Sequence, residues 1–124
     1  MLKLVYCLTK RADVDSEEFY RYWLNDHGPL VKSYAEAIGA HKYIQSHTVA
    51  TDLNQVFLES RGLAPAFDGI TEVWWKDRAA LESGMASQAG QQAHAALKED
   101  EAKFIDFSKS HVFMTEEHVI FDVQ

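Results

Sequence analysis

The feature that most limits how this chain can fold is segment 19–31, where an aromatic helix face runs directly into a His-Gly-Pro sequence. Three aromatic side chains of this segment recur at i, i+3 and i+4, the spacing of one helical face: Phe19, Tyr22 and Trp23. Glycine favours a helix end, and proline suits the first turn of a helix. The segment therefore predicts two helices that are joined by a bend at Gly28.

One titratable side chain, His27, occupies that predicted bend. A histidine beside aromatic residues can exchange a proton near neutral pH. It can equally cap the last carbonyl groups of the first helix. The pattern by itself leaves both roles open.

The order of the predicted elements is β-α-β-β-α-β over the 124 residues. Strands are predicted at 2–9, 40–49, 67–76 and 110–121. Helices are predicted at 15–26 and 29–38, from 78 to a break at Gly84, and from 87 to 107 in spite of Gly90, with a short one at 53–60. This order is typical of an α+β, ferredoxin-like arrangement in which helices cover one face of an antiparallel sheet. We expect a single domain spanning 1–124.

The other face of the predicted sheet has no helix to cover it. Strands that are apolar on both sides, as at Leu4-Val5 and Val73-Trp74, would expose a large patch in a monomer. A second copy of the chain is the simplest cover, so we expect a two-fold homodimer with the sheets face to face.

The second predicted strand has a polar stripe, because Tyr43, Gln45 and His47 share one face. Such a stripe can line a cavity, or it can be the wet face of an edge strand. The irregular segment 51–66 is long enough to be a lid. The acidic stretch 98–101 is interpreted as a solvated helix face.

The composition argues against several classes of partner. Twelve basic and nineteen acidic residues give a net charge of −7, which disfavours nucleic acid. No apolar run approaches the ~20 residues that a membrane helix needs, and no secretory signal is visible. The single cysteine, Cys7, allows no internal disulfide, so a cytoplasmic location is expected.

The sequence carries no recognisable cofactor or metal site. Its six histidines show no metal-binding spacing, and no glycine-rich loop for phosphates is present. General acid–base chemistry remains, in which His27 transfers a proton and Tyr43 bonds to a developing oxyanion. Further candidates for substrate binding are Tyr6, Trp23, Asp26, Gln45, His47, Glu72, Trp75 and His111. The aromatic members of that set can also simply be core residues.

Several motifs together resemble the EthD-domain family. They are Val5-Tyr6-Cys7-Leu8, Glu18-Phe19, Tyr22-Trp23, His27-Gly28-Pro29-Leu30-Val31, His41-Lys42-Tyr43, Phe67-Asp68-Gly69-Ile70-Thr71-Glu72-Val73-Trp74, and Phe104-Ile105-Asp106 followed by Ser110. The resemblance implies a dimeric α+β barrel. In isomerase-like relatives the catalytic pair is a histidine ending the first helix and a tyrosine on the second strand. The matching residues are His27 and Tyr43. Val73 stands where those relatives have a cysteine, which argues against a lactone isomerase.

The resemblance and the residues together predict a cofactor-independent acid–base enzyme of the isomerase, cyclase or dehydratase type. Its substrate would be a small aromatic, lactone or polyketide-like compound. Two alternatives stay open. One is a dimer that binds a small molecule without turnover, and the other is a cofactor-free or haem-type monooxygenase of the same barrel superfamily.

Overall fold

A computed structural model describes all 124 residues, and its centre is a four-stranded antiparallel sheet. The strands are β1 (Leu2–Leu8), β2 (Lys42–His47), β3 (Gly69–Trp75) and β4 (His111–Glu116). Their order across the sheet is β2-β3-β1-β4, and every neighbouring pair is antiparallel. The predicted α+β, ferredoxin-like fold is therefore confirmed.

Five α-helices accompany the sheet. They are α1 (Ser16–Tyr22), α2 (Gly28–Ile38), α3 (Asp52–Arg61), α4 (Arg78–Ala86) and α5 (Gln88–Glu101). Acidic caps start two of them: Asp15 accepts from the backbone of Glu18 at 2.8 Å, and Asp77 accepts from that of Ala80 at 2.9 Å. Helices α2, α4 and α5 pack on one another, and α4 also contacts β3. They form the helical layer over one face of the sheet.

The predicted bend at Gly28 is wrong. Residues Trp23–His27 form a π-helical turn, and the chain continues through it from α1 into α2. Gly28 keeps right-handed helical dihedrals (φ −55°, ψ −52°), and its N–H donates to the carbonyl of Trp23. Glycine and proline are both tolerated in the first turn of a helix, so neither has to end one here. Gly39, with φ +72°, ends α2 as predicted.

The main apolar cluster lies where β1, α1 and the segment after α5 meet. Its fully or almost fully buried members are Leu8, Phe19, Trp23, Phe104 and Ile105. This cluster fixes the π-helical turn against the sheet, because Trp23 belongs to both.

The face of the sheet opposite the helical layer carries no helix. Lys3 and Glu72 form an ion pair of 2.7 Å there, and the Lys3 and Lys42 ammonium groups lie over the Trp74 ring. Apolar side chains of the same face remain accessible, with Phe113 50% exposed. None of the helices has the length and apolar character that crossing a membrane requires.

Candidate functional site

A cavity of about 160 Å³ lies between the helical layer and the sheet. The sheet contributes Leu4, Tyr6, Tyr43, Thr71, Val73, Trp75 and Val112. The helical side and the segment after it contribute Trp23, His27, Val31, Ile38, His94, Leu97, Glu101 and Ile105. Because side chains alternate along a strand, Tyr6, Tyr43 and Trp75 all project from the helix-facing side of the sheet. The walls are mainly apolar, with a few titratable groups.

His27 is held in this cavity by a buried carboxylate. Its Nδ1 lies 2.7 Å from Oδ2 of Asp100 on α5, and the two residues are only 5% and 7% exposed. The Tyr22 hydroxyl donates to the other oxygen of Asp100, and the Lys103 ammonium lies 3.3 Å from it. The carboxylate is thus fully engaged, and the imidazole is fixed by it.

Burial lowers the pKa of His27, although the hydrogen bond to Asp100 opposes this shift. Burial alone would raise the pKa of Asp100, but hydrogen bonds from Tyr22 and His27 outweigh it, so that pKa is lowered. A neutral imidazole therefore donates its Nδ1 proton to an ionised carboxylate. Its Nε2 makes no hydrogen bond within the chain and retains a lone pair that can accept a proton.

Tyr43 is fixed by a short chain of hydrogen bonds along β2. The Gln45 amide nitrogen donates to the Tyr43 hydroxyl at 2.9 Å and to the Trp23 carbonyl at 2.8 Å. His47 Nε2 lies 2.8 Å from the Gln45 oxygen, and its ring stacks on Trp23 with centroids 4.4 Å apart. Burial raises the pKa of Tyr43, so its hydroxyl keeps a proton that it can donate to a ligand.

Another titratable group in the cavity is Glu101, the residue after Asp100. Burial and the charge of Asp100 raise the pKa of Glu101 to about 7, against a lowering by a hydrogen bond from Tyr6. Burial and Glu101 in turn raise the pKa of Tyr6. His94, about two turns earlier on α5, also lines the cavity, and its buried Nε2 has no hydrogen-bond partner.

Three of the candidates from the sequence lie away from the cavity. Asp26 is exposed and pairs with Arg21 at 3.3 Å. Glu72 projects from the uncovered face of the sheet and pairs with Lys3. His111 is exposed at the start of β4, where it packs edge-on against Phe67. Gln45 and His47 do not line the cavity itself and instead position Tyr43 and Trp23.

Sequence reasoning missed Asp100 and Glu101, because the stretch 98–101 was interpreted as a solvated face. Only Lys98 and Glu99 of that stretch are exposed. The signal was present in the helical period. Asp100 lies seven residues after buried Ala93, and Glu101 lies four residues after buried Leu97, so both belong to the inward face of α5.

An open groove of about 650 Å³ between α2 and β2 adjoins the cavity. Val31 and Tyr43 line both spaces. Gly28 lies at the base of the groove, where a Cβ atom would come within 3.3 Å of the Gln45 amide nitrogen. The groove therefore leads from solvent to the wall that contains Tyr43. No group of three or more His, Cys, Asp or Glu side chains is arranged to hold a metal ion.

Comparison with known proteins gives one family and one fold. The model of the EthD domain matches residues 11–108. No curated protein sequence matches the chain.

Solved structures share the fold over almost the whole chain. An ethyl tert-butyl ether D (EthD) family protein from Bacillus halodurans has 20% identity, covers 95% of this chain and 99% of its own, and gives a TM-score of 0.63. SnoaB, a cofactor-independent oxygenase from Streptomyces nogalater, has 12% identity, coverages of 98% and 97%, and a TM-score of 0.56. A dimeric ferredoxin-like protein of unknown function from Thermobifida fusca has 8% identity, coverages of 92% and 88%, and a TM-score of 0.59.

Proposed function

The chain belongs to the EthD domain family, and from the geometry of its cavity we propose that it is a cofactor-independent acid–base enzyme. The observation that carries this proposal is that His27, held by the buried carboxylate of Asp100, lines the same cavity as Tyr43. A fold supports many activities, so the proposal depends on these side chains and not on the fold.

The proposed reaction begins at a carbon next to a carbonyl group. His27 Nε2 removes a proton from that carbon, and Asp100 stabilises the imidazolium that forms. The electron pair of the broken C–H bond forms a carbon–carbon double bond, and negative charge moves to the carbonyl oxygen. Tyr43 donates a hydrogen bond to that oxygen. Isomerases, cyclases and dehydratases that act on small carbonyl compounds can share this first step.

Proton exchange on a simple ketone tests this step without knowledge of the substrate. Cyclohexanone in D₂O exchanges its α-protons for deuterium, and proton NMR follows the loss of signal. We expect the wild-type protein to accelerate exchange and His27→Gln to lower its rate by about 10²–10⁴-fold. His118→Gln removes an exposed imidazole from the C-terminal tail and serves as the matched control. Equal rates for the wild type and His27→Gln would refute the proposal.

A dimer that binds a small molecule without turnover is the second candidate, because the same cavity would serve a carrier. In that case the wild type would bind small ring compounds and yet exchange their protons no faster than buffer does. His27→Gln would then leave the function intact.

We also propose that the protein acts as a homodimer in a reducing, cytoplasmic setting. The exposed apolar residues on the uncovered face of the sheet support the dimer. The single cysteine, Cys7, is buried and unpaired, which fits a reducing compartment.

A further inference from the structure

The distribution of charge around the cavity restricts what can bind in it. Among the lining residues only Glu101 is acidic, and none is Lys or Arg. Asp100, the residue before Glu101 on α5, places a second carboxylate directly behind His27. The nearby Lys103 ammonium is already engaged with Asp100 and is exposed to solvent. A ligand in the cavity therefore meets one carboxyl group, that of Glu101, and the imidazoles of His27 and His94, but no Lys or Arg that would neutralise an anion.

The size of the cavity gives a second restriction. A cavity of ~150 Å³ with apolar walls is enough to hold benzene, and this one measures about 160 Å³. Trp23 and Trp75 supply flat apolar walls, while Tyr43, Tyr6 and Thr71 supply hydroxyl groups for a polar substituent. The space thus fits one ring that carries one or two oxygen or nitrogen atoms.

We propose that this cavity selects an uncharged compound of about one ring, such as a small ketone, lactone or phenol, and that Glu101 excludes carboxylates of the same size. The proposal rests on the proposed function, because it names the substrate class for the same site. Its physical basis is like-charge repulsion, which solvent screens only weakly in a partly buried space. Burial raises the pKa of Glu101 to about 7, so this carboxyl group is largely ionised at pH 8.

Benzamide and benzoate are a matched pair of probes, because they have nearly the same shape and differ in charge. Calorimetric titration at pH 8 should give benzamide at least a ~10-fold lower Kd than benzoate on the wild-type protein, a gap of about 1.4 kcal/mol. Equal affinities, tighter binding of benzoate, or no binding of either probe at millimolar concentration would overturn the proposal.

Two glutamate variants test the assignment to Glu101. Glu101→Gln removes the charge inside the cavity, and we expect the affinity for benzoate to rise until the gap closes. Glu99→Gln removes an equal charge from the exposed side of the same helix, and the gap should persist. If Glu99→Gln closes the gap as far as Glu101→Gln does, the selectivity comes from the overall charge and the assignment fails. The wild-type comparison stands even if Glu101→Gln does not fold.

His27→Gln separates this proposal from the proposed function. The variant should lose proton exchange, whereas the benzamide preference is measured on the wild-type protein by binding alone and requires no proton transfer. A preference for benzamide without His27-dependent exchange would support the selectivity and refute the enzymatic proposal. His27-dependent exchange without a preference for benzamide would support the enzymatic proposal and refute the selectivity.

Discussion

At the scale of single residues, the proposed chemistry depends on a pair that the sequence separates by 73 positions, His27 and Asp100. Asp100 holds the proton of His27 on Nδ1 and so leaves Nε2 free as the base. An asparagine at position 100 can fix the wrong tautomer and cannot stabilise the imidazolium. Asp100→Asn should therefore lower the rate of cyclohexanone exchange by about 10²-fold or more. The measurement is the same NMR time course.

Asp26 provides the control for that variant. It is the carboxylate next to His27 in the sequence, but it is exposed and pairs with Arg21. Asp26→Asn should leave the exchange rate unchanged. A loss of similar size in both variants would show that Asp100 has no special part in the reaction.

Glu101 makes a separate prediction about stability. Its pKa is about 7 in the folded protein and about 4.5 in an unfolded chain, so the folded state binds this proton more tightly. The contribution of Glu101 to the free energy of unfolding is therefore present below about pH 4.5 and is lost as the pH rises through 7. Glu101→Gln should be more stable than the wild type at pH 8, by up to about 3 kcal/mol, and nearly equal to it at pH 4.5. Urea unfolding at both values of pH measures the difference.

Glu99→Gln is the control, because it removes a solvated charge. Its difference in stability from the wild type should be the same at both values of pH. If Glu101→Gln gains no stability at pH 8 over its value at pH 4.5, then Glu101 is not a buried acid in solution.

Residues with a local signal were predictable, and residues that act through a distant contact were not. His27 stood out because it adjoins Gly28 and Pro29, and Tyr43 stood out because it belongs to a polar stripe on β2.

Asp100 lies in a run of charged residues, and such runs are usually solvated. The helical period places Asp100 and Glu101 on the inward face of α5, but only the packing of α5 against α2 shows that Asp100 meets His27. Asp26, Glu72 and His111 carried suitable groups, but their exposed or paired positions remove them from the cavity.

At the scale of elements, the order and approximate positions of the strands were predictable from their short apolar runs and the glycines between them. The π-helical turn was not, because it has no sequence signature of its own. Inserting one extra residue into a helical turn rotates the residues that follow, and such turns are frequent at functional sites. Here the turn buries both of its ends, Trp23 and His27, against the same cavity.

The crossing of α4 and α5 depends on the absence of a side chain at Gly90. A Cβ atom at Gly90 would lie 1.5 Å from the carbonyl oxygen of Gly84, and that oxygen belongs to the backbone and cannot turn away. Gly90→Ala should therefore force the helices apart and destabilise the protein by about 2 kcal/mol or more, beyond the ~1 kcal/mol that alanine normally gains over glycine within a helix. Thermal unfolding followed by circular dichroism gives the result.

Gln92→Ala, at an exposed position on the same helix, is the control and should change the melting temperature little. A Gly90→Ala variant as stable as the wild type would mean that α4 and α5 are packed less closely than described.

At the scale of the whole molecule, one face of the sheet has no helix to cover its apolar side chains. Val5 and Phe113 are opposite each other in the β1–β4 pair, and Ile44 projects from the same face, 38% exposed. In the strand register Glu72 lies between Ile44 and Val5, so the apolar side chains of this face are interrupted by a carboxylate whose charge is paired with Lys3. The sequence predicted this face from strands that are apolar on both sides, and a second copy remains the proposed cover.

Phe113→Asp tests that proposal, because it places an unpaired charge on the uncovered face without touching the cavity, which lies on the other side of the sheet. The wild type should have about twice the 14.1 kDa chain mass by light scattering at micromolar concentration. The variant should dissociate at least ~30-fold more readily, since the loss of a hot-spot side chain from an interface commonly costs about 2 kcal/mol or more. Met85→Asp introduces the same charge at an exposed position on α4, in the helical layer, and should remain a dimer. A folded wild-type monomer would refute the face-to-face arrangement, and dissociation of both variants would place the interface elsewhere.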